Sequence, residues 1–82
     1  MKANSETVHH SVKALLHEKT GIDLGKLDDN ASLHYDLAID SLDIMEVMHE
    51  LEKSFSIKIE DEDAERVVTV GDLCGVVLKA AA

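Results

Sequence analysis

Apolar residues recur along this chain at offsets of three and four in separate stretches, and the stretch from Asp36 to Phe55 is the most informative. Ile44, Val47, Met48, Leu51 and Phe55 share one stripe at 100° per residue, the width of a core-facing helix side. Asp40 or Ser41 stands where an N-cap belongs, with acids in the following turn. Leu42, Met45 and His49 fall outside the stripe as a second, smaller strip bordered by Glu46 and Glu52. The spacing therefore predicts a helix with one buried side and a greasy, acid-edged ridge left for something else.

The other stretches are simpler. Val8, Val12, Leu15 and Leu16 predict a first helix capped by Asn4 or Ser5 and stopped by Thr20-Gly21 and Gly25. From Gly21 to Asp40 the period is lost, and Ile22, Leu24, Leu27, Leu33, Tyr35, Leu37 and Ile39 read as single anchors of a long loop, with a turn of helix near Asn30 to Tyr35. A loop that long in a small domain is usually functional. Ser56-Ile57-Lys58-Ile59 reads as an extended connection, Asp61 to Arg66 as a short third helix. Thr69-Val70-Gly71-Asp72 resembles a capping box that opens a last helix with Val70, Leu73, Cys74 and Val77 inward. The expected fold is all-α: a small four-helix bundle, three longer helices plus a short third, with a long loop between the first two.

Charge and composition narrow the function. Seventeen acids against eight basic residues give a formal charge of −9, which disfavours nucleic acid and anionic membrane and favours basic protein surfaces. In 82 residues without Trp or Pro, the core must be aliphatic, and such a core rarely supplies more than about 3–5 kcal/mol of net stability. No apolar run approaches a membrane span and the first residues lack a signal peptide's apolar block, so a soluble cytoplasmic protein is expected. Cys74 is the single cysteine and reads as a small buried hydrophobe. His9, His10 and His17 form no ligand cluster and read as solvated. Asp28, Asn30 and Ser32 begin like a calcium loop, but Leu33 and Ile39 stand where Gly and Glu are required; Asp61, Asp63 and Glu65 fail likewise at Arg66. No dedicated metal site is indicated.

Ser41 alone would be an N-cap. As a hydrolase nucleophile it lacks the Gly-x-Ser-x-Gly turn; His49 lies two turns away and nothing orients His34. No enzyme activity is expected. The wider pattern is more specific: Asp36-Leu37, Asp40-Ser41-Leu42-Asp43, Glu46 and Leu51-Glu52, continuing from Asn30-Ala31-Ser32-Leu33 through Ile59 and Asp61 to Thr69-Val70, resembles the acyl carrier protein family. The resemblance implies one acyl carrier domain over 1–82, with 4′-phosphopantetheine covalently on Ser41, flanked by Asp40 and Leu42, holding acyl groups as thioesters. It implies docking of a phosphopantetheinyl transferase and of acyl-transferring, condensing and reducing enzymes through their basic patches. The surface for them would comprise Asp36, Asp43, Met45, Glu46, His49, Glu50 and Glu52, extended by Ile59, Asp61 and Glu65. A monomer serving fatty acid or related lipid or polyketide biosynthesis is expected.

The chain departs from the family's usual pattern at Ala38-Ile39, where Gly-Ala is common, and at Ile44, His49, Lys53 and Glu60. These positions bear on partner and cargo and lean towards a specialised carrier of secondary metabolism or aminoacyl cargo. Outside the class, the alternatives are an unmodified acidic helical adaptor and a cation buffer.

Overall fold

The computed structural model describes residues 3–82. Among them four helices form: α1 (Ser5–Thr20), α2 (Ser41–Phe55), α3 (Asp61–Glu65) and α4 (Val70–Ala81). A 3-10 turn at Leu24–Lys26 and an isolated bridge between Ser32 and Thr69 complete the regular structure. This is the all-α bundle that the periodicity predicts. No helix among the described residues is long and apolar enough to cross a membrane.

Each long helix starts where a polar side chain replaces missing backbone partners. Asn4 accepts from the Thr7 N–H at 2.9 Å while the Asn4 N–H donates to Thr7 Oγ1, a reciprocal box that opens α1. Gly21 closes α1 in the left-handed region at φ 76°, where a Cβ would be strained. Thr69 and Asp72 form a second box at the head of α4, as the sequence suggests.

Val8, Val12 and Leu16 of α1 meet Val47, Leu51 and Phe55 of α2 and Val70, Leu73, Cys74 and Val77 of α4 in one buried cluster. Each such side chain contributes about 1.5–3 kcal/mol by leaving water. Leu15 and Ile44, expected inside, are half-buried at the edge. α1 lies against both α2 and α4, whereas the backbone of α3 approaches only that of α4. A gap between α2 and α3 follows from that arrangement.

The long loop departs most from expectation. Its helical turn lies at Leu24–Lys26 and not near Asn30 to Tyr35, where residues 33–37 form hydrogen-bonded turns closed on the Ser32 carbonyl. Leu27, Leu33 and Ile39 are its buried anchors, while Leu24 and Tyr35 are 54% and 85% exposed. Backbone bonds outweigh apolar spacing here. The Leu33 N–H donates to the Val68 carbonyl, Val70 to Ala31 and Gly71 to Asp29, at 2.8–3.1 Å, laying the loop along the entry to α4. A Cβ at Gly71 would stand 3.0 Å from the Asp29 carbonyl oxygen and push the loop back by a few tenths of an ångström, which favours glycine here despite its cost to the helix.

Two of the histidines read as solvated are fasteners. His17 Nδ1 donates to the Ile22 carbonyl at 2.7 Å, securing the exit from α1. His9 reaches the Ser5 carbonyl through Nδ1 at 2.7 Å and Asp29 through Nε2 at 3.1 Å, and Lys13 adds a second contact to Asp29. Asp29 thereby ties the loop to α1 with its side chain and to α4 with its carbonyl.

Candidate functional site

The loop ends by delivering the chain to the head of α2. The Ile39 side chain is buried and its N–H donates to the Leu33 carbonyl at 2.8 Å, so the following residues are fixed from below. The extra bulk at Ile39 thus enters the core and not the surface beside Ser41. Ala38 stands at φ 53°, left-handed backbone that suits glycine. Asp40 is the N-cap and accepts from the Leu42 N–H at 3.2 Å. Ser41 is the first helical residue and is exposed; its Oγ approaches only Asp40 Oδ1, at 3.5 Å, too long to hold it. The hydroxyl is displayed and not used.

The carboxylates expected to surround it are not equivalent. Asp36 is turned back into the loop and accepts from the Ser32 N–H at 2.7 Å. Asp40 is occupied as the cap. Asp43 has no hydrogen bond or ion pair among the described residues.

Beyond Ser41 the second strip is a real ridge. Leu42 and Met45 are 66% and 55% exposed, and His49 follows them on the same side. His49 Nδ1 lies 3.3 Å from Glu52 Oε1, and Glu52 Oε2 accepts from the Ile59 N–H at 2.9 Å. Glu52 therefore fastens the connection after α2 as well as edging the ridge. Ile59, expected to extend the surface, is 7% exposed and packs into the core. It forms the floor of a groove of about 100 Å³ between α2 and α3. Met45, Met48 and Ala64 supply its apolar walls; His49, Glu52 and Asp61 stand at its edge. Asp61 and Glu65 on α3 are exposed, so acids face solvent on both sides of the groove.

One neighbour of the ridge is missed by sequence reasoning. Lys19, at the end of α1, lies 3.2 Å from Glu50 and 3.6 Å from Glu46. It is remote in sequence from both, and only the packing of α1 on α2 brings them together. Cys74 offers no chemistry: burial, with a smaller push from Asp29, raises its thiol to about 11. Among the described residues no group of three His, Cys, Asp or Glu is arranged to hold a metal ion.

Residues 10–77 match the family model described as the phosphopantetheine attachment site. The chain is also 35% identical over 77 residues to the acyl carrier protein of Thermotoga maritima, covering 94% of this chain and 95% of that one. The chain belongs to the acyl carrier protein family. It is a carrier and not an enzyme, and its prosthetic group is phosphopantetheine. The head of α2 fits such a group on physical grounds. It presents an exposed hydroxyl at the positive end of a 15-residue helix, where the helix dipole favours a phosphodiester while the adjoining Asp40 carboxylate, which caps the Leu42 N–H, opposes it.

Proposed function

We propose that Ser41 is the attachment residue of this carrier and that the Leu42–Met45–His49 ridge presents its cargo to partner enzymes. The observation that carries the reading is the exposed, essentially unbonded Ser41 hydroxyl at the first residue of α2. When attached, the arm supplies a terminal thiol on which an acyl group rides as a thioester. Asp40 holds the helix start rigid beneath it. Ile39 and Leu33 anchor the approach, so the modified residue keeps its position while the arm swings. Leu42 and Met45 offer apolar contact at the ridge, and Met45 adapts to different partner surfaces. Asp43, Glu46, Glu50 and Glu52, with Asp61 and Glu65 across the groove, favour approach by basic patches.

The partners are a phosphopantetheinyl transferase and the transferring, condensing and reducing enzymes of fatty acid or related lipid or polyketide biosynthesis. A formal charge of −9 supports a monomer that repels its own copies. A specialised cargo is the second reading, favoured by Ala38 in a glycine-like backbone conformation and by His49 on the ridge.

The test is intact mass after incubation with coenzyme A and a phosphopantetheinyl transferase. One arm added to the parent, and none to Ser41→Ala with an unchanged circular dichroism spectrum, is the expected result. An arm that persists in Ser41→Ala, or a parent that a competent transferase leaves unmodified, overturns the assignment.

A further inference from the structure

Formal charge is divided unevenly along this chain: four cations meet three acids through Lys26, and four meet fourteen after it. Lys19 carries a positive charge from the balanced part into the acidic one. Its Nζ sits between Glu50 at 3.2 Å and Glu46 at 3.6 Å, two of the acids that border the α2 ridge. Its side chain is 28% exposed, so the stem lies partly against the helix pair while the ammonium faces the two carboxylates at the surface. A hydrogen bond and the charge of Glu50, and then the charge of Glu46, raise its proton affinity above that of an ordinary lysine. Asp43, Asp61, Glu62 and Glu65 contrast with that pair, having no ion-pair partner among the described residues.

We propose that Lys19 is a specificity-determining residue, an internal counter-ion that occupies Glu46 and Glu50 and shifts the recognition of basic partners to Asp43 and the free acids of α3. The inference rests on the reading that partners dock on the α2–α3 side. Lys19 faces one oxygen of each carboxylate and cancels part of the field of Glu46 and Glu50, so a basic partner side chain gains less there than at Asp43 or Asp61, which have no internal cation beside them among the described residues. Partners whose basic groups match the head of α2 and α3 are selected, and those aimed at the middle of α2 are disfavoured.

The probe is a phosphopantetheinyl transferase with coenzyme A, and the readout is KM for the unmodified carrier at 0.15 M salt, where charges beyond about 8 Å are screened. Lys19→Gln is expected to lower KM about fivefold with kcat unchanged, while Lys19→Arg stays at the parent value. In the parent, Glu46→Gln and Glu50→Gln change KM less than about twofold; in the Lys19→Gln background each raises it about fivefold, a coupling of the kind expected between residues in contact. If Lys19→Gln leaves KM unchanged while Asp43→Asn raises it, the docking side stands and the counter-ion inference is overturned. If Asp43→Asn and Asp61→Asn are also silent, the docking side itself is wrong. Should Lys19→Gln fail to fold, the single variants still decide: Glu46→Gln or Glu50→Gln raising KM as much as Asp43→Asn contradicts the proposal.

Discussion

The heads of α4 and α2 begin alike in sequence, each with a small polar residue before an apolar helix, yet they are finished differently. At α4 the capping is closed. Thr69 Oγ1 accepts from the Asp72 N–H at 3.0 Å, and Asp72 Oδ2 accepts from the N–H groups of Thr69 and Val68, each at 3.1 Å. The loop then covers the same turn through Gly71 and Asp29. At α2 a single side-chain bond, Asp40 to the Leu42 N–H, does the capping, and the adjoining Ser41 hydroxyl is left outside it. The difference teaches how one helix start is closed over while another is left open, as the proposed attachment at Ser41 requires. The closed box at α4 supplies rigidity to the loop, the loop supplies position to Ser41, and α2 itself is left open at its head.

If that division is right, the two heads respond unequally to truncation. Thr69→Ala removes a cap and loosens the loop laid over it, with an expected loss of about 1.5–2 kcal/mol in urea unfolding. Asp40→Ala, at an exposed head that nothing covers, loses about 0.5–1 kcal/mol. Equal losses, or the reverse order, would remove the distinction between a supporting end and a displayed one.

Acid sharpens the same contrast. Bonds from the Thr69 N–H and then the Val68 N–H hold the Asp72 carboxyl below its ordinary value. A carboxyl whose folded pKa is depressed contributes stability above its unfolded value, near 3.9, and loses it as pH falls through the folded one. The difference in melting temperature between parent and Asp72→Asn should therefore be full at neutral pH and shrink progressively below about pH 4. Asp72 is largely exposed, so the shift in Tm is modest. A difference that holds constant down to pH 2 would show that the carboxylate charge contributes nothing at this cap.

How much of this was legible depends on the range of the physics involved. Helical period and capping chemistry are local, so the four helices, a cap at Asn4 or Ser5, the Thr69–Asp72 box, and the exposed strip of Leu42, Met45 and His49 could be read from spacing. The loop could not. Apolar residues in an aperiodic stretch carry no phase, and nothing in the order of residues says that Leu33 is buried while Tyr35 stands 85% exposed. That is decided by where backbone partners lie, and for Leu33 the partner is Val68, far along the chain. The histidines show the same limit: His17 is exposed and His9 half-buried, and the carbonyl and carboxylate partners they bond are brought up only by folding. The family resemblance implies a docking contact at Ile59, but the connection after Phe55 places it inward, 7% exposed under the groove. At the candidate site the legible part was the exposed start of α2 at Ser41, and the illegible part was Lys19, which only helix packing brings to α2.

The smallest expected effect lies at the approach to the displayed head and has the opposite sign. Ala38 adopts φ 53°, a region that costs an L-residue with a Cβ about 1–2 kcal/mol. Its side chain is exposed, so truncation to glycine removes little packing. Ala38→Gly relieves the strain but adds freedom to the unfolded chain worth about 0.4–1 kcal/mol, which leaves a net gain of about 0.5 kcal/mol. The variant should unfold at slightly higher urea with an unchanged slope. A loss of stability would mean that the loop before Ser41 relaxes out of the left-handed region when free, so that the head of α2 is positioned less firmly than the anchors Leu33 and Ile39 require.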